Sequence, residues 1–330
     1  MQETPLRPSV GVAMCIYNGA RYLPEQLGSI ANQTELPAAM VVLDDGSTDG
    51  SLELVQAWAQ TVPFPVTVER NAQQLGVVRN FERATSLVSQ DIVFLADQDD
   101  RWYPDKVRKF VDAFVRDPGI GLLHSDADLI DSAGAPMERL LLDTLLVSSD
   151  ERSLVAAGEA WRVYAKRNLV TGASCALRRD VLDRATPFSM NWVHDEWLAF
   201  VASLVSRVHL LDEPTMAYRL HGANTVGLPL PTLGWRVRTT IHALLLPTRP
   251  RQLLRADRLD EILGLAAHFG ASAHVLDHLQ LAADHARFRA NLPRNPVKRL
   301  AGILRERQAG HYHAWSNGPI SMLHDLLIAS

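Results

Sequence analysis

The sequence predicts an α/β fold, a mainly parallel central sheet flanked by helices, continued by a helical C-terminal appendage. Three observations carry this. Short apolar runs alternate with segments of helical periodicity from Val10 to Val115, polar clusters follow the first, second and fourth runs, and from Leu233 onward only helical patterning remains.

Val10 to Ile16 is an apolar run, and Ala20 to Gln33 follows with helical spacing of Leu23, Leu27 and Ile30, giving a strand and then a helix. Met40 to Leu43 is a second strand. It ends in Asp44-Asp45-Gly46-Ser47-Thr48-Asp49, where Ser47 or Asp49 is expected to cap a helix carrying Leu52, Val55 and Trp58. Val66 to Val68 reads as a strand, Val77 to Val88 as a helix, Ile92 to Ala96 as a buried strand, and Asp105 to Val115 as a helix after Pro104. Beyond Ile120 the alternation loosens. Strands are expected near 121–130, 170–177, 208–211 and 215–220, a helix at 195–204, and residues 132–165 read as an insertion of helical character lying over the cleft. The helical tail has breaks at Pro247–Pro250, Gly270, Pro293–Pro296 and Gly310. The expected division is a catalytic domain over 1–227, with a nucleotide-binding half over about 9–130 and an acceptor half over about 131–227, followed by a helical region over 228–330.

The chain has 330 residues, 47% hydrophobic and 21% charged, the profile of a folded globular protein. No apolar leader occupies residues 1–9 and no stretch reads as a transmembrane helix, so a cytoplasmic location is expected, with peripheral contact at the inner face of the membrane as a further possibility. Cys15 and Cys175 both sit among apolar neighbours and read as buried thiols. The formal charge of −4 hides a split: residues 1–227 carry 20 Lys+Arg against 30 Asp+Glu, and residues 228–330 carry 13 against 7. An acidic front part argues against nucleic acid as a ligand, and a basic tail suits an anionic surface.

In open α/β sheets ligands gather at the carboxyl ends of the strands. There the sequence puts Tyr17-Asn18, Asp44-Asp45 and Asp97-Gln98-Asp99-Asp100. Two carboxylates straight after a buried strand can hold Mg²⁺ or Mn²⁺ through hard oxygen ligands. The bland reading is a solvated acidic turn, but a carboxylate cluster wedged between a core strand and a helix start is expensive without a cation or partner. Asp44-Asp45-Gly46-Ser47 reads equally as a turn with a cap and as a ligand site, because an aspartate there can accept from a base N–H or a ribose hydroxyl.

The strings Ala13–Asn18, Leu43–Asp49, Ala96–Trp102 and Tyr218–Asn224, in this order, resemble family 2 glycosyltransferases of the GT-A fold, over roughly residues 9–227. The fuller strings Phe94–Val107 and Leu122–Ala127 look most like bacterial rhamnosyltransferases that build surface polysaccharides. The resemblance implies an enzyme that transfers one sugar, L-rhamnose from dTDP-rhamnose or a hexose from a UDP donor, to a glycan or lipid-linked acceptor, with Mg²⁺ or Mn²⁺ as cofactor. Carried over residue by residue, Cys15, Tyr17, Asn18, Asp45, Arg79 and Asp97 fall in the nucleotide and phosphate pocket. Asp99 matches the metal ligand and His221 a second ligand on a loop that Gly222 and Gly227 would let move. Asp195 takes the position of the general base, with Glu196 as its rival. Trp102, Gly172, His194, Glu196 and Trp197 fall on the acceptor side or behind it. The bland alternatives are an ordinary helix N-terminus at Asp195-Glu196 and a structural role for His221.

The glycine fingerprints of dinucleotide-binding and P-loop proteins are missing, and so is the Gln-x-x-Arg-Trp signature of the processive synthases. A non-catalytic sugar-nucleotide-binding protein is the alternative of another class. The tail, where Arg236, Arg238, Arg249, Arg251, Arg255 and Arg258 alternate with Ile241, Leu244–Leu246, Leu253, Leu254 and Leu259, suits either docking on anionic lipid or packing, including as a homodimer.

Overall fold

The computed structural model describes residues 7–221 and 249–327. These divide into two compact units, 7–160 with 169–221, and Trp161–Asn168 with 249–327. The loop glycines Gly222 and Gly227 lie outside the described residues, as do Arg236, Arg238, Ile241 and Leu244–Leu246.

The first unit is built on strands β1 (Val10–Ile16), β2 (Ala39–Asp44), β3 (Val66–Arg70) and β4 (Ile92–Ala96), alternating with helices α1 (Leu23–Ala31), α2 (Ser51–Ala59) and α3 (Val77–Leu87). A short strand β5 (Arg101–Trp102) and helix α4 (Lys106–Arg116) precede the long β6 (Ile120–Ile130). Then come β7 (Pro136–Leu140), α5 (Leu141–Thr144), α6 (Ser149–Ala156), the short α7 (Ala160–Tyr164), of which only Ala160 belongs to this unit, β8 (Cys175–Arg178), α8 (Arg179–Ala185), α9 (His194–Val205) and β9 (Arg207–Arg219).

One sheet runs in the order β3-β2-β1-β4-β8-β6-β9-β5, with β7 added to β6. The ladders β3-β2-β1-β4 are parallel, as the alternation requires, and β6–β9 is parallel too. Antiparallel β8 splices the two groups together between β4 and β6. Strands β1 and β4 are buried almost throughout, and their side chains meet Leu23, Leu27 and Ile30 of α1 and Val107, Phe110 and Phe114 of α4 in one core.

Four sequence expectations need correction. Only Cys175–Arg178 of the expected 170–177 strand pairs, because Gly172–Ser174 forms a 3₁₀ turn. The two strands expected across 208–220 are one, β9, which passes Asp212-Glu213-Pro214 by shifting its register on β6. The 132–165 insertion is not helical alone: β7 extends the sheet, and α6 packs on β9 with an Arg152–Asp212 ion pair. The cap of α2 is Gly50, and Asp49 instead accepts from Ser51 N at 3.1 Å.

The second unit holds α10 (Arg249–His268), α11 (Ala273–Ala290), α12 (Pro296–Gln308), α13 (His311–Trp315) and α14 (Pro319–Leu327). Pro250 sits in the first turn of α10, where its missing N–H costs nothing. Leu259 is buried, whereas Leu253 and Leu254 are exposed. Leu292, Ile303 and Tyr312 centre a small core.

Candidate active site

The loops after β1, β2 and β4 are laced together by their own polar side chains. Gln98 grips the Tyr17 backbone from both sides, its Oε1 accepting from Tyr17 N at 2.8 Å and its Nε2 donating to Tyr17 O at 3.1 Å. A Cβ on Gly19 would lie 2.3 Å from Gln98 Oε1, so this close approach requires glycine. Asn18 N donates to Ser47 Oγ, Asn18 Oδ1 accepts from Thr48 N, Gly19 N donates to Ser51 Oγ, and Ala20 N donates to Asp49 Oδ2. Tyr17 itself is exposed. The Asp44–Ser51 segment thus positions the first loop, which explains its density of Asp and Ser.

Both oxygens of Asp45 accept from the protein. Its Oδ1 accepts from Asn71 Nδ2 and Leu75 N, both at 2.7 Å, and its Oδ2 accepts from Gly76 N at 2.9 Å. Charge-assisted bonds of this kind contribute about 1.5–3 kcal/mol each. Cys175 is buried as expected but Cys15, near the end of β1, is only half-buried, and burial followed by the charges of Asp97 and Asp45 pushes its thiol well above the ordinary range. It stays a neutral thiol. Arg79 is paired with Glu82 and donates to Phe188 O at 3.3 Å.

Asp97, Asp99 and Asp195 come together. Burial first, then the charges of Asp99 and Asp195, push Asp97 up to about 7, with Lys106 acting in the opposite direction. Asp195 stands in the first turn of α9, its Oδ2 accepting from Gly172 N at 3.1 Å and its Oδ1 from Glu196 N at 2.7 Å. Burial raises Asp195 to about 6, and those two N–H groups limit the rise. A carboxylate so placed is ionised near neutral pH and basic enough to accept a proton.

Asp99 Oδ2 lies 2.6 Å from His221 Nε2, and the imidazole stacks on Tyr22 with ring centroids 4.9 Å apart. This oxygen and nitrogen, next to the raised Asp97 and to Asp100 Oδ2, which is buried without a protein partner, form a donor set that fits Mg²⁺ or Mn²⁺. Burial first and then the neighbouring carboxylates raise Asp97 and Asp100, and extra positive charge would offset both.

Gly172 and the aromatic residues stand behind this centre. A Cβ on Gly172 would sit 2.7 Å from His194 Nε2, so glycine is needed where the 3₁₀ turn meets His194. His194 is buried, stacked on Phe81 at 4.1 Å, and pushed down to about 3 by burial, so it is neutral. Trp102 and Trp197 are also buried, and Trp197 Nε1 donates to Ala185 O at 2.7 Å. Glu196 follows Asp195 in the same helical turn, partly accessible.

Two residues carry the arrangement without having drawn attention in the sequence. Lys106, at the start of α4, is fully buried, with its Nζ donating to Ala173 O at 2.7 Å and lying 4.3 Å from the Trp102 ring centroid. Burial pushes it down to about 7, against the opposing influence of Asp100, Cys175 and Asp97. It is the partner that the buried acidic turn called for, and its bond to Ala173 O also pins the turn whose Gly172 N–H holds Asp195. Arg219, buried at the end of β9, donates from Nε to Asp99 O at 2.7 Å and from its backbone N to Asp100 Oδ1 at 2.9 Å, and pairs with Glu25. The available signal was the position of both residues inside the strings around Asp99 and His221.

Residues 11–183 match the family described as Glycosyl transferase family 2. An uncharacterized glycosyltransferase of Nostoc sp. is 27% identical over 219 residues, which cover 65% of this chain and 66% of that protein, just under two thirds of its length. A dTDP-rhamnosyl transferase of Shigella flexneri is 24% identical over 229 residues, 65% of this chain and 73% of that protein. Among solved structures, a mannosyltransferase of Pyrobaculum calidifontis in complex with GDP-Man and Mn²⁺ superposes with a TM-score of 0.52 at 19% identity, covering 97% of this chain and 86% of that one. S. aureus TarS 1–349 in complex with UDP-GlcNAc gives 0.55 at 15% identity over 93% and 89%. These neighbours share the GT-A fold, an α/β sheet flanked by helices, and with more than half of its length matched the chain belongs to glycosyl transferase family 2.

Proposed function

We propose that this protein moves one sugar from a nucleoside-diphosphate donor to an acceptor hydroxyl with inversion at the anomeric carbon. The observation that carries the reading is Asp195, a half-buried carboxylate raised to about 6, fixed by two backbone N–H groups and close enough to Asp97 to raise its pKa. In the proposed step Asp195 takes the acceptor proton as the acceptor oxygen bonds to the anomeric carbon and the bond to the diphosphate oxygen breaks. One displacement inverts the centre. Tyr17, Asn18 and Asp97 would line the donor's nucleotide and ribose, while Asp45 would serve chiefly by holding residues 71–76 in place. Asp99 and His221 would hold Mg²⁺ or Mn²⁺, which when bound supplies positive charge to the leaving diphosphate. Residues 9–130 would form the nucleotide half and 131–227 the acceptor half.

The proposed donor is dTDP-rhamnose, supported by the Shigella relative, with UDP-hexoses next, and the proposed acceptor is a glycan or lipid-linked saccharide of surface polysaccharide synthesis. Turnover of donor with and without Mn²⁺, comparing dTDP-rhamnose with UDP-glucose and UDP-galactose, tests this. Use of the UDP-hexoses alone would overturn the sugar and keep the reaction, and failure to cleave any sugar nucleotide would favour a binding protein.

A peripheral membrane contact is proposed for the helical region over 228–330. On α12 the exposed Val297, Leu300 and Leu304 share one face, flanked by exposed Lys298, Arg305 and Arg307. On the adjoining α14, exposed Ile320, Leu323 and Leu327 repeat the spacing. Among the described residues no helix is long and apolar enough to cross a membrane. Co-sedimentation with anionic vesicles that weakens as salt rises supports the contact, and a concentration-dependent dimer without vesicle binding would replace it.

A further inference from the structure

The second unit contains a set of side chains that the sugar-transfer reading does not use. His285 of α11 and His311 of α13 both direct Nδ1 at one oxygen, Oε2 of Glu306 on α12, each at 2.8 Å. The three ligand atoms lie within 4.8 Å of one another. We propose that His285, Glu306 and His311 form a zinc-class divalent metal site that ties α11, α12 and α13 together.

Two imidazole nitrogens beside a single carboxylate favour Zn²⁺, Ni²⁺ or Cu²⁺ over Mg²⁺ or Ca²⁺, which prefer shells made mostly of oxygen. A tetrahedral zinc with ligand bonds of about 2.0–2.1 Å sets neighbouring donor atoms about 3.3 Å apart. Each 2.8 Å contact would therefore open by about half an ångström. Glu306 and His311 keep 14% and 22% of their side-chain surface, leaving room for water as a fourth ligand.

Binding would exchange the protons now shared between the two Nδ1 atoms and Glu306 Oε2 for the ion, so metal uptake should release protons. Around the set the core is small, with Leu292, Ile303 and Tyr312 at its centre and Phe288, Met322 and Leu326 beside them. A metal brace adds most to such a core.

The full chain, stripped with chelator and then loaded with Zn²⁺ or Co²⁺, tests the site by bound metal after desalting, the visible bands of tetrahedral cobalt, and the change in Tm. Asp99→Ala serves as the background that separates this site from the acidic centre of the first unit. His311→Ala and Glu306→Gln are the site variants, since both residues are partly exposed, whereas truncating buried His285 risks the fold. Asp99→Ala should retain one zinc, show the cobalt bands and melt at higher temperature with zinc. Adding His311→Ala or Glu306→Gln should weaken retention by more than about tenfold, the loss already expected from removing an outer partner of a ligand. Zinc retention and Tm shift unchanged by both site variants would overturn the proposal, as would an Asp99→Ala chain that takes up no zinc.

Discussion

Asp45 and Asp97 are the same residue at equivalent places, each just beyond the end of a parallel strand, and the protein treats them in opposite ways. Asp45 receives three hydrogen bonds, from Asn71, Leu75 and Gly76, and its charge is used in holding the chain. Asp97 is pushed to about 7 by burial first and then by the charges of Asp99 and Asp195, with Lys106 acting in the opposite direction. Strand-end position therefore does not by itself set a carboxylate's surroundings. What differs is that three donors face Asp45, whereas desolvation and like charges act on Asp97.

The contrast can be broken by substitution. The largest effect should come from Asp99→Ala, which removes one of the two proposed metal ligands and is expected to abolish divalent-dependent donor binding and turnover while the melting temperature stays near the wild-type value. Calorimetric titration with donor and Mn²⁺ checks it, and undiminished metal-dependent binding would remove the assignment. Asp195→Asn should come next, losing turnover by at least about a hundredfold, the lower range for general acid–base catalysis, with donor affinity retained. If Glu196→Gln shows that loss instead, the base is misassigned.

Asp45→Ala should behave differently in kind. It removes the acceptor of two backbone N–H groups and of one N–H of Asn71 Nδ2, which keeps only its bond to Asn80 Oδ1, so a stability loss of about 1–3 kcal/mol for each donor left unpaired is expected in urea titration, with activity falling as the 71–76 segment loosens. Full stability with selective loss of nucleotide binding would move Asp45 back among the direct ligands. Lys106→Met sharpens the same comparison. Without the bond to Ala173 O and the positive charge beside Asp97 and Asp100, the chain should lose about 1–3 kcal/mol and its activity should require higher pH. An unchanged pH profile would reduce Lys106 to packing.

The parallel half of the sheet was legible because apolar runs such as Ile92–Ala96 are buried on both faces and cannot be mistaken for surface. Antiparallel β8 was legible only as an apolar run drawn too long at its start, since the 3₁₀ turn over Gly172–Ser174 and the antiparallel pairing with β4 and β6 are tertiary features. At the site, the positions of Asp97, Asp99 and Asp195 were readable from motif order, but their mutual approach was not. Lys106 reads from sequence as a solvated lysine at a helix start, and only the fold shows Ala173 O and the Trp102 ring waiting for it. His285 and Glu306 lie 21 residues apart on different helices, beyond the reach of any spacing rule.

The central claim is that Asp195 accepts the acceptor proton, and the pH dependence of kcat/KM tests it most directly. Asp195 is raised to about 6 in the free protein, and only its ionised form can take a proton, so kcat/KM should be level above that pH and fall tenfold per unit below it. The residual activity of Asp195→Asn should lack this acid limb, and Glu196→Gln should keep it. An acid limb that survives in Asp195→Asn, or disappears in Glu196→Gln, would contradict the account.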